Sequence, residues 1–102
     1  MTIKNVNAKI FDPNNEDFLA DVSLEISLIS SPNEDGKPNY EVKATFQGIR
    51  GEFSDKNFIL EIRPSLRGFA FFTTDAIMGA FTTYKIVLQD SVWRNIDWFN
   101  NL

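Results

Sequence analysis

The sequence predicts an α+β fold: an antiparallel sheet of about four strands, one helix over about 64–79 packed on it, and a short C-terminal helix. Three observations lead there. Apolar and polar residues alternate cleanly from Phe18 to Ser30, apart from Leu19 and Ile29 on the polar side, and again from Tyr40 to Gln47, the period of half-buried strands. Pro64 and Gly79 stand where a helix favours proline at its first position and a left-handed glycine after its last. Ser91 precedes Val92, Trp93, Ile96 and Phe99, a cap followed by helical spacing.

In chain order, Ile3 to Phe11 reads as a strand with Val6, Ala8 and Ile10 on one face and Asn5, Asn7 and Lys9 on the other. Asp12-Pro13-Asn14-Asn15 is a turn. With Glu16 and Asp17 it shares acidic residues with a calcium loop, but it lacks that loop's central Gly and terminal Glu, and turn chemistry explains it. The second strand sets Phe18, Ala20, Val22, Leu24, Ile26 and Leu28 against a largely polar face. Ser31 to Asn39 contains an Asp-Gly turn signal and joins the second strand to the third as a hairpin. The third strand turns Tyr40, Val42, Ala44 and Phe46 inward until Gly48 breaks the pattern, as at a bulge or bend. Phe58 to Ile62 is a short apolar run with no clear period.

Within the predicted helix, Leu66, Phe69, Ala70, Thr73, Ile77 and Ala80 share one face. Phe71, Phe72 and Met78 lie on other faces, so the helix would be covered on two sides, a partner subunit supplying the second cover. A rival reading takes Gly68 to Thr74, with its three Phe, as a buried strand. The chain is then all-β, a six-stranded small barrel holding an apolar ligand. Phe81 to Gln89 reads as a strand on either account.

The 102 residues fit a single domain, small enough for oligomerisation to help bury surface, and we expect a homo-oligomer, dimer or tetramer. At 43% hydrophobic the chain is not disordered. With no apolar run of membrane-spanning length and no signal-like start, membrane insertion is not expected and a cytoplasmic location is. There is no Cys and no His, which removes thiolate metal sites, the usual general base near neutral pH and the Ser-His and Cys-His nucleophile pairs. No metal, no cofactor and no enzymatic activity are expected. The net charge of −4 is uneven, since Asp12, Glu16, Asp17, Asp21, Glu25, Glu34 and Asp35 fall between Lys9 and Lys37 with no base among them. That distribution opposes nucleic-acid binding, which needs a basic patch. It either keeps the protein soluble or forms a docking face, with Asp12, Glu16, Asp17, Asp21 and Glu25 as its candidates.

Pro64, Arg67 and Phe69, followed by Gly79-Ala80-Phe81 and Tyr84-Lys85-Ile86-Val87-Leu88, together with the strands Val22 to Ile29 and Tyr40 to Phe53, resemble the SecB-like family of protein-export chaperones. The resemblance implies a sheet with a Pro-opened helix and the work of holding unfolded polypeptide. Such binding needs exposed aromatic surface and a charged rim rather than a catalytic group. Ten Phe and two Trp supply the material, and Phe58, Phe69, Phe71, Phe72, Trp93 and Trp98 are the candidates for client binding. The reading is thus a non-enzymatic chaperone or adapter for a protein client. Beside it stands a small acidic, partner-specific interaction or inhibitor protein of the kind mobile elements and phages carry.

Overall fold

The computed structural model describes residues 2–29 and 39–102, and the chain there is almost entirely strand. The strands are β1 (Thr2–Phe11), β2 (Phe18–Ile29), β3 (Asn39–Gln47), β4 (Lys56–Arg63), β5 (Leu66–Met78) and β6 (Phe81–Leu88). Among the described residues a 3-10 turn, Ser91–Trp93, and a four-residue helix, α1 (Asp97–Asn100), follow the strands. The strands close into a barrel in the order β1-β2-β3-β6-β5-β4, and every neighbouring pair is antiparallel. This overturns the expected α+β architecture and matches the six-stranded all-β alternative. The Asp-Gly turn expected at 35–36 lies outside the described residues.

No helix occupies 64–79. Pro64 and Ser65 form the two-residue turn between the paired residues Arg63 and Leu66, where the fixed φ of proline suits a turn as well as it suits a first helical position. Gly79 has φ +55 and, with Ala80, joins the paired Met78 and Phe81, supplying the positive φ that primed hairpin turns need at their first central residue. Between these turns β5 points Leu66, Gly68, Ala70 and Phe72 inward and Phe69, Phe71 and Thr73 outward. The pattern is partly inverted, small side chains inside and Phe outside, which hides the period of two.

Gly68 shows why. A Cβ there would lie 2.7 Å from Val92 Cγ2, 2.9 Å from Asp90 Cβ and 3.0 Å from Trp93 Nε1. The C-terminal segment crosses β5 at this point and takes the room a side chain would need. It is fastened by Asp90 Oδ2, which accepts the Phe69 N–H at 3.1 Å, and by Trp93 Nε1, which donates to the Phe69 carbonyl at 3.1 Å. The Ser91 side chain does not cap a helix as expected, because only a 3-10 turn follows and it has no side-chain cap.

Both barrel ends are filled. At one end the crossover 48–55 inserts Phe53, whose ring stacks on Phe46 at 4.8 Å and meets Phe58, Phe72 and Tyr84 at 5.1–6.2 Å. At the other, Trp93, Trp98 and Phe99 close over the core, with Tyr40 against the last two at 5.0 and 5.7 Å. Lys4 Nζ ties this cap to β1 by donating to the Phe99 carbonyl at 2.8 Å. Between the plugs, Ile10, Leu24, Ile26, Ala44, Leu60 and Ala70 are almost wholly buried.

The barrel is two three-stranded meanders, β1-β2-β3 and β4-β5-β6, joined side by side through two ladders. The β3–β6 ladder has six residue pairs, from Val42↔Ile86 to Gln47↔Phe81. The β1–β4 ladder has three, Lys9↔Glu61, Ile10↔Leu60 and Phe11↔Ile59. The second is therefore the narrow seam of the closed sheet.

Candidate functional site

The outer faces of the two meanders differ. Along the middle of β1, β2 and β3 the outward residues are polar, Asn5, Asn7, Asp21, Ser23, Glu25, Lys43 and Thr45, while Ile3, Phe11, Phe18 and Leu19 nearer the strand ends are apolar. On the other meander the same parity exposes Ile59, Phe69, Phe71 and Val87. Register places these side by side, since Phe11 pairs with Ile59, Ile59 with Phe69, and Phe71 with Val87. Phe18 extends the row, its ring meeting Phe11 edge-on at 5.8 Å. An apolar band thus crosses β2, β1, β4, β5 and β6, with Phe18 at 53%, Phe69 at 46% and Val87 at 56% exposure. Water gains nothing from such a contiguous band, and its burial against a partner is favourable.

Charge lines one side of the band. Lys9, Glu61 and Arg67 are successive cross-strand neighbours. Arg67 pairs with Glu16 at 3.1 Å and Glu61 at 3.5 Å, and its guanidinium lies 5.0 Å from the Phe11 ring centre. Lys9 stands 5.9 Å from the Phe18 ring. The row is therefore neutralised from within and immobilised over the aromatic edge, as in the polar rim of a protein interface.

Of the six aromatic residues expected to bind a client, Phe69 and Phe71 lie in this band. Phe58, Phe72, Trp93 and Trp98 are instead core residues at 7%, 0%, 2% and 5% exposure, turned away from the band. Phe11, Phe18, Ile59 and Val87 are the members that sequence reasoning missed. Their signal was an apolar residue at the parity opposite to the core, or, for Phe18, a position displaced by the register shift at Phe11.

The acidic candidates do not form one face. Asp12 Oδ1 accepts the Asn14 and Asn15 N–H groups at 2.8 and 3.3 Å, so its carboxylate shapes its own turn. Glu16, with φ +60, is bound to Arg67. Asp17 sits in the same connection. Asp21 faces Lys9 across the ladder, and Glu25 faces Lys43. These bases interrupt the negative surface.

An open cleft of about 570 Å³ lies where the β1–β2 turn approaches the start of β4, lined by Asp12, Leu19, Arg50, Phe53, Lys56 and Phe58 among others. Arg50 is held firmly there. Its N–H donates to Thr82 Oγ1 at 2.9 Å, its carbonyl accepts from the Tyr84 hydroxyl, and its guanidinium rests 5.3 Å from the Phe46 and Phe53 ring centres. Arg50 Nε donates to Glu52 at 2.5 Å. Burial alone would raise the Glu52 pKa, but hydrogen bonds from its own backbone and from Arg50 outweigh that and hold it below the usual carboxylate range. Burial pushes the Tyr84 hydroxyl up. Among the described residues no group of Asp and Glu is placed to hold a metal, and no helix is long and apolar enough to cross a membrane. Compared with known proteins, the chain matches no family model, no curated protein and no solved structure.

Proposed function

We propose that this chain is a non-enzymatic interaction protein that binds a specific protein partner through the band formed by Phe11, Phe18, Ile59, Phe69, Phe71 and Val87. One observation carries the reading: cross-strand register brings Phe11, Phe18, Ile59, Phe69, Phe71 and Val87 into one contiguous band, while the middle of the outer face of β1–β3 is polar and the other exposed apolar side chains, such as Ile77, Met78 and Phe81, gather at the β5–β6 turn or stand singly. Core packing does not account for residues on the outside of a closed barrel whose interior is already filled. A hydrophobic centre with a charged, internally paired rim is the composition of a docking surface. The absence of His and Cys across the sequence supports a role without covalent or acid–base chemistry.

The test places a photo-crosslinking residue at Phe69 and, as a control on the polar face, at Thr45. A single protein trapped from source cells at position 69 and not at 45 would then be purified and titrated. Phe69→Ser with Val87→Ser, in a variant that keeps its thermal transition, should weaken binding at least about 100-fold, as the loss of two central contacts predicts. Unchanged affinity overturns the reading. Suppression of aggregation of several unrelated unfolded clients, unaffected by salt, would instead favour a general holdase using the same band.

A further inference from the structure

The barrel is closed at the seam by only three pairs, and β1 is longer than the seam. All of β1 from Thr2 to Phe11 pairs with β2, yet only Lys9–Phe11 pairs with β4. Among the described residues no strand pairs with Thr2–Ala8 on that side, and no other backbone hydrogen bond reaches this stretch. In an antiparallel strand alternate residues aim both N–H and C=O at the free side. Thr2–Ala8 is therefore an open sheet edge.

Open edges are ordinarily guarded by charge, proline or a bulge. This one has none of these on its outward face. Its single charge, Lys4, is turned to the inner side and engaged by the Phe99 carbonyl at 2.8 Å and the Phe99 ring at 4.8 Å. The outward residues are Ile3, Asn5 and Asn7, and Ile3 is 51% exposed. The stretch of β2 left open on the β3 side, Phe18–Val22, is guarded by contrast: it carries Asp21 and follows Glu16 and Asp17.

We infer that the Thr2–Ala8 edge pairs antiparallel with the same edge of a second copy about a two-fold axis at Asn5, so that Asn5 faces Asn5 and Ile3 faces Asn7, joining two barrels through a continuous β2-β1-β1-β2 sheet. A two-fold axis makes any such edge its own complement, provided no like charges face each other. Here none do, because the outward positions are uncharged and Lys4 is occupied. The seven-residue ladder is small, so the association is weak and concentration-dependent.

Sedimentation equilibrium from about 1 µM to about 500 µM should show the mass moving from one chain to two, with little dependence on salt. Over the same range, alternate backbone amides of Thr2–Ala8 should exchange more slowly as concentration rises. Asn5→Lys with Asn7→Lys, which sets like charges across the axis, should raise the dissociation constant at least about 10-fold. If the pair disturbs folding, Asn5→Lys alone, which sets lysine against lysine at the axis, and the wild-type amide exchange carry the test. A mass of one chain throughout overturns the inference. So does a dimer that survives both lysines while the Thr2–Ala8 amides exchange freely; if Phe69→Ser abolishes that dimer, the aromatic band is its interface.

Discussion

At the scale of single residues, Tyr84 links the core to the crossover. It is fully buried, its ring meets Phe46, Phe53 and Phe72, and its hydroxyl donates to the Arg50 carbonyl. Tyr84→Phe keeps the ring and removes the donor, so urea denaturation should show a loss of about 1–2 kcal/mol. The hydroxyl also makes stability depend on pH. Because burial raises its folded pKa, the folded form keeps the proton after the unfolded chain has released it. The contribution is complete below the ordinary tyrosine value of about 10 and declines as pH rises through and above it. The decline should be shallower in Tyr84→Phe, with Tyr40, raised by its own burial, the remaining tyrosine contributor.

At the scale of elements, the C-terminal segment acts as a strap whose fit depends on Gly68. Gly68→Ala forces a methyl to within 2.7 Å of Val92 Cγ2 and 2.9 Å of Asp90 Cβ. We expect a loss of about 1–3 kcal/mol, the usual cost of overpacking, and a red shift of tryptophan fluorescence as Trp93 and Trp98 become wetter. A variant with wild-type stability and emission would show that the strap shifts freely. The same contact explains what the sequence concealed. β1, β2, β3 and β6 were legible because apolar residues hold the inner parity over most of each strand while polar residues interrupt the outer one. β4 and β5 were not, since Ile59, Phe69 and Phe71 face outward while Gly68 and Ala70 face inward. With that contrast lost, Pro64 and Gly79 were read as helix boundaries although both serve hairpin turns. The candidate site was legible only at Phe69 and Phe71, because membership of the band is set by cross-strand register, which pairs Phe11 with Ile59 across 48 positions of sequence.

At the scale of the whole molecule, the ladders are unequal. β1–β2 pairs Thr2 through Phe11, whereas β1–β4 holds three pairs. Opening should begin there, because local stability follows the number of contacts broken. Hydrogen exchange under native conditions should find the amides bonded across the seam at least about 10-fold faster than those between β2 and β3. Uniform protection would mean that the aromatic plugs, not the ladders, set the opening unit. The band lies across this seam through Phe11 and Ile59, so a partner seated on it would slow seam exchange while leaving the β2–β3 amides unchanged.

The two-meander plan also makes the molecule divisible. The crossover carries the only covalent link between β1-β2-β3 and β4-β5-β6, and Gly51 within it is exposed with nothing within 4 Å of its Cβ position. A chain severed after Gly51 keeps Arg50 on one piece and Phe53 on the other, each beside its contacts on the opposite piece. Co-expressed pieces should therefore reassemble into a working barrel, and the concentration at which they separate would measure how strongly the two halves hold each other without a shared backbone.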